Sequence, residues 1–332
     1  MYDWGPIKAV SEVFKVLLDW IHIFVPSYGW SIVLLTILFR GVLLPLDIKQ
    51  KISMKKTTAL QPKIAAINEK YKNDKEKAAQ KTMELYKVER VSPFSGCLPS
   101  LIQLPLFFAF FGALQNLAGH EILNLYNFVK DGGTPVLESF FWVRNVWQPD
   151  TFGTFLGLNS TVIPPYEMVE RFSSFKAAGI TLESYNQVFA GLMEQYKNVY
   201  NGWFILPILS ALSSFFMTKM TMPAQPATPA PQQQGMMNTK VMQYMFPVMS
   251  LFFTATANSV FGLYWITSNL WSMGIYYAVD RYWARKQKKL AEVEAIRAAE
   301  EARLLEEKKA EIAEQKARKA AYKQKNNPKG GQ

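Results

Sequence analysis

The stretch Trp30-Ser-Ile-Val-Leu-Leu-Thr-Ile-Leu-Phe-Arg40-Gly-Val-Leu-Leu-Pro-Leu46 decides the architecture of this chain, and Arg40 is its one charged residue. At about 1.5 Å per residue it crosses most of a bilayer core, and the apolar residues before it supply the remainder. An arginine inside such a span costs about 2.5–3.5 kcal/mol on insertion scales, so it faces a partner or a wet cavity. The sequence offers no partner. The other candidate spans carry no Asp or Glu, and Asp19, Asp47 and Asp280 fall at or beyond span edges. An unpaired cation in that position points to a water-filled, protein-lined hollow. The competing reading has Arg40 snorkel past Pro45 to the cytoplasmic headgroups.

Outward from that stretch, uncharged runs recur at 91–120, 198–218 and 241–279 in a chain that is 49% apolar. This composition reads as an integral membrane protein rather than a globular domain. The last run is too long for one helix and contains Thr256-Ala-Asn-Ser259, a breaker that divides it into two spans. The expected fold is therefore an all-α polytopic membrane protein. Its five transmembrane helices occupy 27–47, 92–118, 198–218 and, as a pair, 241–279. Lone Cys97 rules out a disulfide framework, and His22 and His120 are too few for histidine-based metal or proton-relay chemistry. The sequence shows no cleavable signal pattern, phosphate-binding glycine loop or nucleophile–base pair, so no enzyme, cofactor or metal is expected.

Charge fixes the orientation. Residues 47–91 hold 12 Lys/Arg against 6 Asp/Glu, and 280–332 hold 15 against 9, whereas 119–197 hold 5 against 8. The positive-inside rule places the first two segments and 219–240 in the cytoplasm, with 119–197 and the N-terminus outside. The excess positive charge then lies where anionic lipid and RNA are the counter-charges.

In chain order, residues 1–26 hold an amphipathic helix expected to lie in the outer interface, with Val10, Phe14, Leu17, Leu18 and Ile21 opposite Lys8, Glu12, Lys15 and Asp19. Segment 48–91 reads as a cytoplasmic helical hairpin with stripes Ile64/Ile67/Tyr71 and Ala79/Met83/Tyr86, turning at 72–74. Pro99 and Pro105 fall within the second span, with Gln103 between them as interhelical glue or groove lining. In the outer segment 119–197, residues 140–147 read as an interfacial aromatic element. Segment 219–240 has linker composition, with Pro223, Pro226, Pro229 and Pro231. The tail 280–332 reads as a solvated helix or a disordered chain. Its basic residues Lys316, Arg318, Lys319 and Lys323 suit ribosomal RNA, anionic lipid or simple solubility.

Several motifs resemble the YidC/Oxa/Alb family of membrane protein insertases. They are Gly96-Cys-Leu-Pro-Ser-Leu-Ile-Gln-Leu-Pro-Leu-Phe-Phe108, Leu60-Gln-Pro-Lys63 through Tyr71-Lys-Asn-Asp-Lys-Glu-Lys77, Phe141-Trp142 with Gln148-Pro-Asp150, and Gly262-Leu-Tyr-Trp-Ile-Thr-Ser-Asn269. The resemblance implies the short five-span bacterial form, in which the spans enclose a hydrophilic groove open to cytoplasm and lipid and closed outside. It places groove positions at Thr36, Arg40, Gln103, Tyr264, Trp265 and Thr267, and a substrate-receiving hairpin at Pro62, Lys63, Tyr71 and Asp74. Two departures stand out: 119–197 is longer than in a minimal member, and Tyr276-Tyr-Ala-Val-Asp280 replaces the usual glutamines.

The resemblance further implies a monomeric insertase and chaperone of the bacterial plasma membrane. Its substrates are nascent membrane proteins, with the ribosome and the Sec translocase as further partners. Two other classes fit the residues less well. A small-solute transporter or channel using Arg40 as an anion site needs matched repeats that five unequal spans do not provide. A scaffold that recruits ribosomes predicts tolerance of groove substitutions.

Overall fold

The computed structural model describes residues 5–91, 98–151, 162–221 and 239–325; at some helix-end positions, including Gln103 and Lys323, it describes the backbone alone. Most of the Pro/Gln-rich linker lies outside the described residues, as does Cys97. Among the described residues the chain is helical, with one isolated bridge between Phe140 and Val143. It divides into two units, Met1–Tyr277 and Ala278–Gln332.

In the first unit, α1 (Gly5–Phe24) and α2 (Tyr28–Val42) are joined at Pro26. The His22 ring stacks on Tyr28 at 3.9 Å, and the Phe14 ring meets Phe39 at 4.9 Å. Contacts equally far from the turn mean that the two helices run antiparallel. The helix expected to lie in the outer interface thus folds back along α2, with its first turn pointing toward the Arg40 end. The reason is compositional. Phe14, Leu18 and Ile21 are buried, while Val13, Val16, Trp20, Ile23 and Phe24 stay exposed on the opposite side, so apolar surface runs most of the way round.

Pro45, in the first turn of α3 (Leu44–Ala59), cannot donate the next helical hydrogen bond, and the α2–α3 pair bends by 64° there. This bent pair, extended through Lys70, is the one candidate for crossing a membrane among the described residues; no single helix is long and apolar enough. Next come α4 (Gln61–Lys70) and α5 (Lys75–Val88), which pack as the expected hairpin. Ile64 and Ala78 are its buried contacts, and Met83, expected on the inner stripe, is 48% exposed.

α6 (Leu98–Lys130) continues twelve residues past the expected span end, because no breaker occurs before Gly132-Gly133. On its C-terminal part sit α8 (Ser173–Ala178) and α9 (Leu182–Gln195), with α7 (Tyr166–Val169) against α9. These bury Val169, Phe175, Tyr185 and Phe189, and Tyr126 stacks on Tyr185 at 6.1 Å. α10 (Ile205–Thr221) starts seven residues later than expected, while α11 (Thr239–Thr256) and α12 (Ser259–Lys325) break at the predicted turn. From Ala278 onward, α12 is a solvated helix with pairs such as Arg303–Glu307 and Arg318–Glu314, which decides between the two readings of the tail.

The aromatic segment expected at the headgroups is instead a buried clasp. Val143, Val146, Trp147, Gln148 and Asp150 are all buried, and Phe141 alone of its aromatics is largely exposed, at 74%. Asp150 accepts hydrogen bonds from the backbone N–H groups of Trp203, Phe204 and Leu206 and from the Trp142 indole, at 2.7–3.1 Å. Its carboxylate thereby caps the start of α10. It also holds Phe204 at φ +63°, a conformation rare for an aromatic residue. Ser259 Oγ and Val260 N–H donate to the Gln148 and Val146 carbonyls, tying in α12.

Candidate functional site

Arg40 lies in the last turn of α2 and is only 8% exposed. Its side chain stays inside the protein and does not reach past Pro45. The bend after Val42 turns α3 back, so that Asp47 and Lys51, 6% and 5% exposed, come within electrostatic reach of the guanidinium. No ion pair or hydrogen bond between Arg40 and Asp47 is found among the described residues, but Asp47 is an acid close enough to act on the Arg40 charge, which the span-edge reading did not anticipate. Asp47 is near in sequence, and the bend changes the direction from which it approaches. Burial pulls the Lys51 ammonium down to about 8, with Arg40 adding to the effect and Asp47 opposing it. The Lys51 ammonium also lies 5.8 Å from the Tyr276 ring centre.

The other wall comes from α12, whose helical period separates two faces. Tyr264, Ser268 and Trp271 turn toward Arg40 and Asp47. Tyr264 is 3% exposed and stacks on Phe110 at 4.0 Å. Trp265 and Asn269 turn the other way. The Trp265 indole N–H donates to Ser214 Oγ at 2.8 Å, and the Asn269 amide donates to Ser213 and Ser214 on α10. Sequence reasoning put Tyr264 and Trp265 in one groove, whereas the structure places only Tyr264 beside Arg40. Thr36 is fully buried and donates to the Ile32 carbonyl at 2.7 Å. Thr267 is half-buried. Gln103 belongs to α6, with its side chain outside the described residues.

The hairpin positions serve local structure. Asp74 caps α5 by accepting from the Lys77 N–H at 2.9 Å. Tyr71 closes α4, with the Lys70 and Lys77 ammonium groups each 5.7 Å from its ring centre. Lys63 pairs with Glu89, and Pro62 is exposed in the first turn of α4. In the tail, Lys316, Arg318 and Lys319 are exposed, while the Lys323 side chain lies outside the described residues. Asp47 and Lys51 were missed as site residues. Their i, i+4 spacing and the proline just before them were the available signals.

The family profile described as "60Kd inner membrane protein" matches residues 20–288, which hold both the buried arginine and the α12 wall. The chain belongs to that family, the YidC/Oxa/Alb family. It is 33% identical over 280 residues to the Membrane protein insertase YidC of Clostridium perfringens, covering 80% of this chain and 88% of that protein. It is 32% identical over 269 residues to the Membrane protein insertase YidC of Leptospira interrogans, and 29% identical over 289 residues to that of Paraburkholderia phytofirmans. The chain spans about a third of the length of the Leptospira relative and 39% of the Paraburkholderia one, while the matches cover 81% and 87% of this chain.

Proposed function

We propose that the chain is a membrane protein insertase of the bacterial plasma membrane, moving nascent segments from the cytoplasm into lipid. Family membership and the relatives' names support this reading. The observation that carries it is a charged centre enclosed at the end of an apolar helix. Five spans form the membrane body: α2 with the bend that follows it, the first part of α6, α10, α11 and the first part of α12. The clasped 119–197 end lies outside, and the hairpin and tail lie in the cytoplasm.

Arg40, Thr36 and Tyr264 line a polar groove between α2 and α12. A substrate's polar segment enters from the cytoplasmic hairpin and is drawn to Arg40, which shortens the hydrocarbon it must cross. Its apolar span then slides between α2 and α12 into lipid, driven by about 0.8 kcal/mol per buried CH₂. No covalent step is needed. The ribosome contacts the basic tail, and the Sec translocase is a further partner.

The test uses purified protein in liposomes free of other translocases, with a single-span substrate synthesised outside and scored for protease protection. Protection that requires the protein and falls with Arg40→Ala supports the reading. Protection no better than in empty vesicles overturns it in favour of a scaffold.

A further inference from the structure

Asp47 and Lys51 take no part in the substrate path described above, yet each is at least as buried as Arg40. Buried charges persist where they offset one another. Arg40 and Lys51 bring two positive charges and Asp47 one negative, leaving one net positive charge in the enclosure. The groups around them are few. Thr36 faces it from α2, Lys55 from α3 by way of the Tyr276 ring at 4.7 Å, and Tyr264, Ser268 and Trp271 from α12. Arg40 Nε is buried without a hydrogen-bond partner among the described residues, and the Trp271 indole lies beside the Asp47 carboxylate, so the guanidinium has a donor to offer an entering polar group.

Resting on the insertase reading, we propose that Asp47 offsets the charge of the enclosed Arg40 and, with Lys51, sets the charge of segment the site admits. In so enclosed a place, one unit of charge changes the field on an incoming group far more than it does in water. Asp47 restrains an otherwise doubly positive centre that would favour acidic segments and retain them. Lys51 keeps the centre positive although Arg40 is partly neutralised.

The experiment uses full-length protein in liposomes with single-span substrates that differ only in an acidic, uncharged or basic outer segment. The readout is the ratio of protected acidic to protected basic substrate. Asp47→Asn is expected to raise that ratio by about threefold or more, and Lys51→Met to lower it by a similar factor. The double variant, with the wild-type net charge, returns to within about twofold of wild type, and Asp47→Glu holds the wild-type ratio. A residue that only supports the fold would change thermal stability and total protection but not this ratio. If Asp47→Asn does not fold, Lys51→Met against wild type decides alone. An unchanged ratio in the folded variants, with wild type protecting above empty vesicles, overturns the proposal. Wild type no better than empty vesicles overturns the insertase reading itself.

Discussion

Arg40 and Asp47 stand on either side of a 64° bend, and both side chains end inside the protein, 8% and 6% exposed. On a straight helix the two residues would lie on one face about 10 Å apart along the axis, so the bend at Pro45 changes the direction from which Asp47 approaches Arg40.

The Lys51 ammonium gives stability a pH dependence of definite sign. Its folded value, about 8, lies below the 10.5 of the unfolded chain, so between them the unfolded state binds more protons. Its burial penalty is constant below about pH 8 and is relieved as pH rises toward 10.5. Denaturation of the detergent-solubilised protein should show stability rising across that window, and Lys51→Met should flatten the rise.

Asp150 should be among the least replaceable residues away from Arg40. Asp150→Ala leaves three backbone donors, two of them buried, and an indole N–H without their acceptor. The expected loss is about 2–4 kcal/mol, read as a lowered thermal midpoint. Asp150→Asn, which keeps one acceptor oxygen, should fall between the two. Equal stability of wild type and Asp150→Ala would refute the clasp as an anchor.

The close approach of α2 to the clasp can be tested at Gly29. A Cβ there would overlap the Phe140 ring, so Gly29→Ala should destabilise by about 1–3 kcal/mol through overpacking. Trimming the ring in Gly29→Ala/Phe140→Ala should recover part of that loss. No recovery would show that the clash lies elsewhere.

The two faces of α12 predict different phenotypes for adjacent residues. Trp265→Phe removes a donor to Ser214, which still accepts from Asn269. It should cost about 1 kcal/mol of stability and leave substrate protection near wild type. Tyr264→Phe removes a hydroxyl beside Arg40 and should lower protection with little change in thermal midpoint. The reverse pattern would reassign the faces.

The tail prediction concerns RNA. Co-sedimentation with ribosomes should weaken steeply with salt, as counterion release requires, and deletion of 281–332 should abolish it. Binding unaffected by the deletion would remove the tail from the interface.

Periodicity and breakers alone determined much of this chain: the helical class, the helical hairpin with its turn, the break at Thr256-Ala-Asn-Ser259 and the position of Arg40 near the end of an apolar helix. Those features are local, set by run length, Pro, Gly and charge within a few turns. What the neighbours contribute was legible only in three dimensions. Residues 140–147 look like an interfacial aromatic element until Asp150, just after them, is seen capping α10 from more than fifty residues away. The N-terminal helix looks interfacial until its Phe14 is found against Phe39 and Phe110. Asp47 looks like a span-edge charge until the Pro45 bend folds it back. Tyr264 and Trp265 look like one motif until Trp265 is seen donating to Ser214 on α10 while Tyr264 stacks on Phe110. For the clasp and the N-terminal helix the deciding contact joins residues whose spacing carries no local signal, and packing alone chooses between readings that the sequence leaves equivalent.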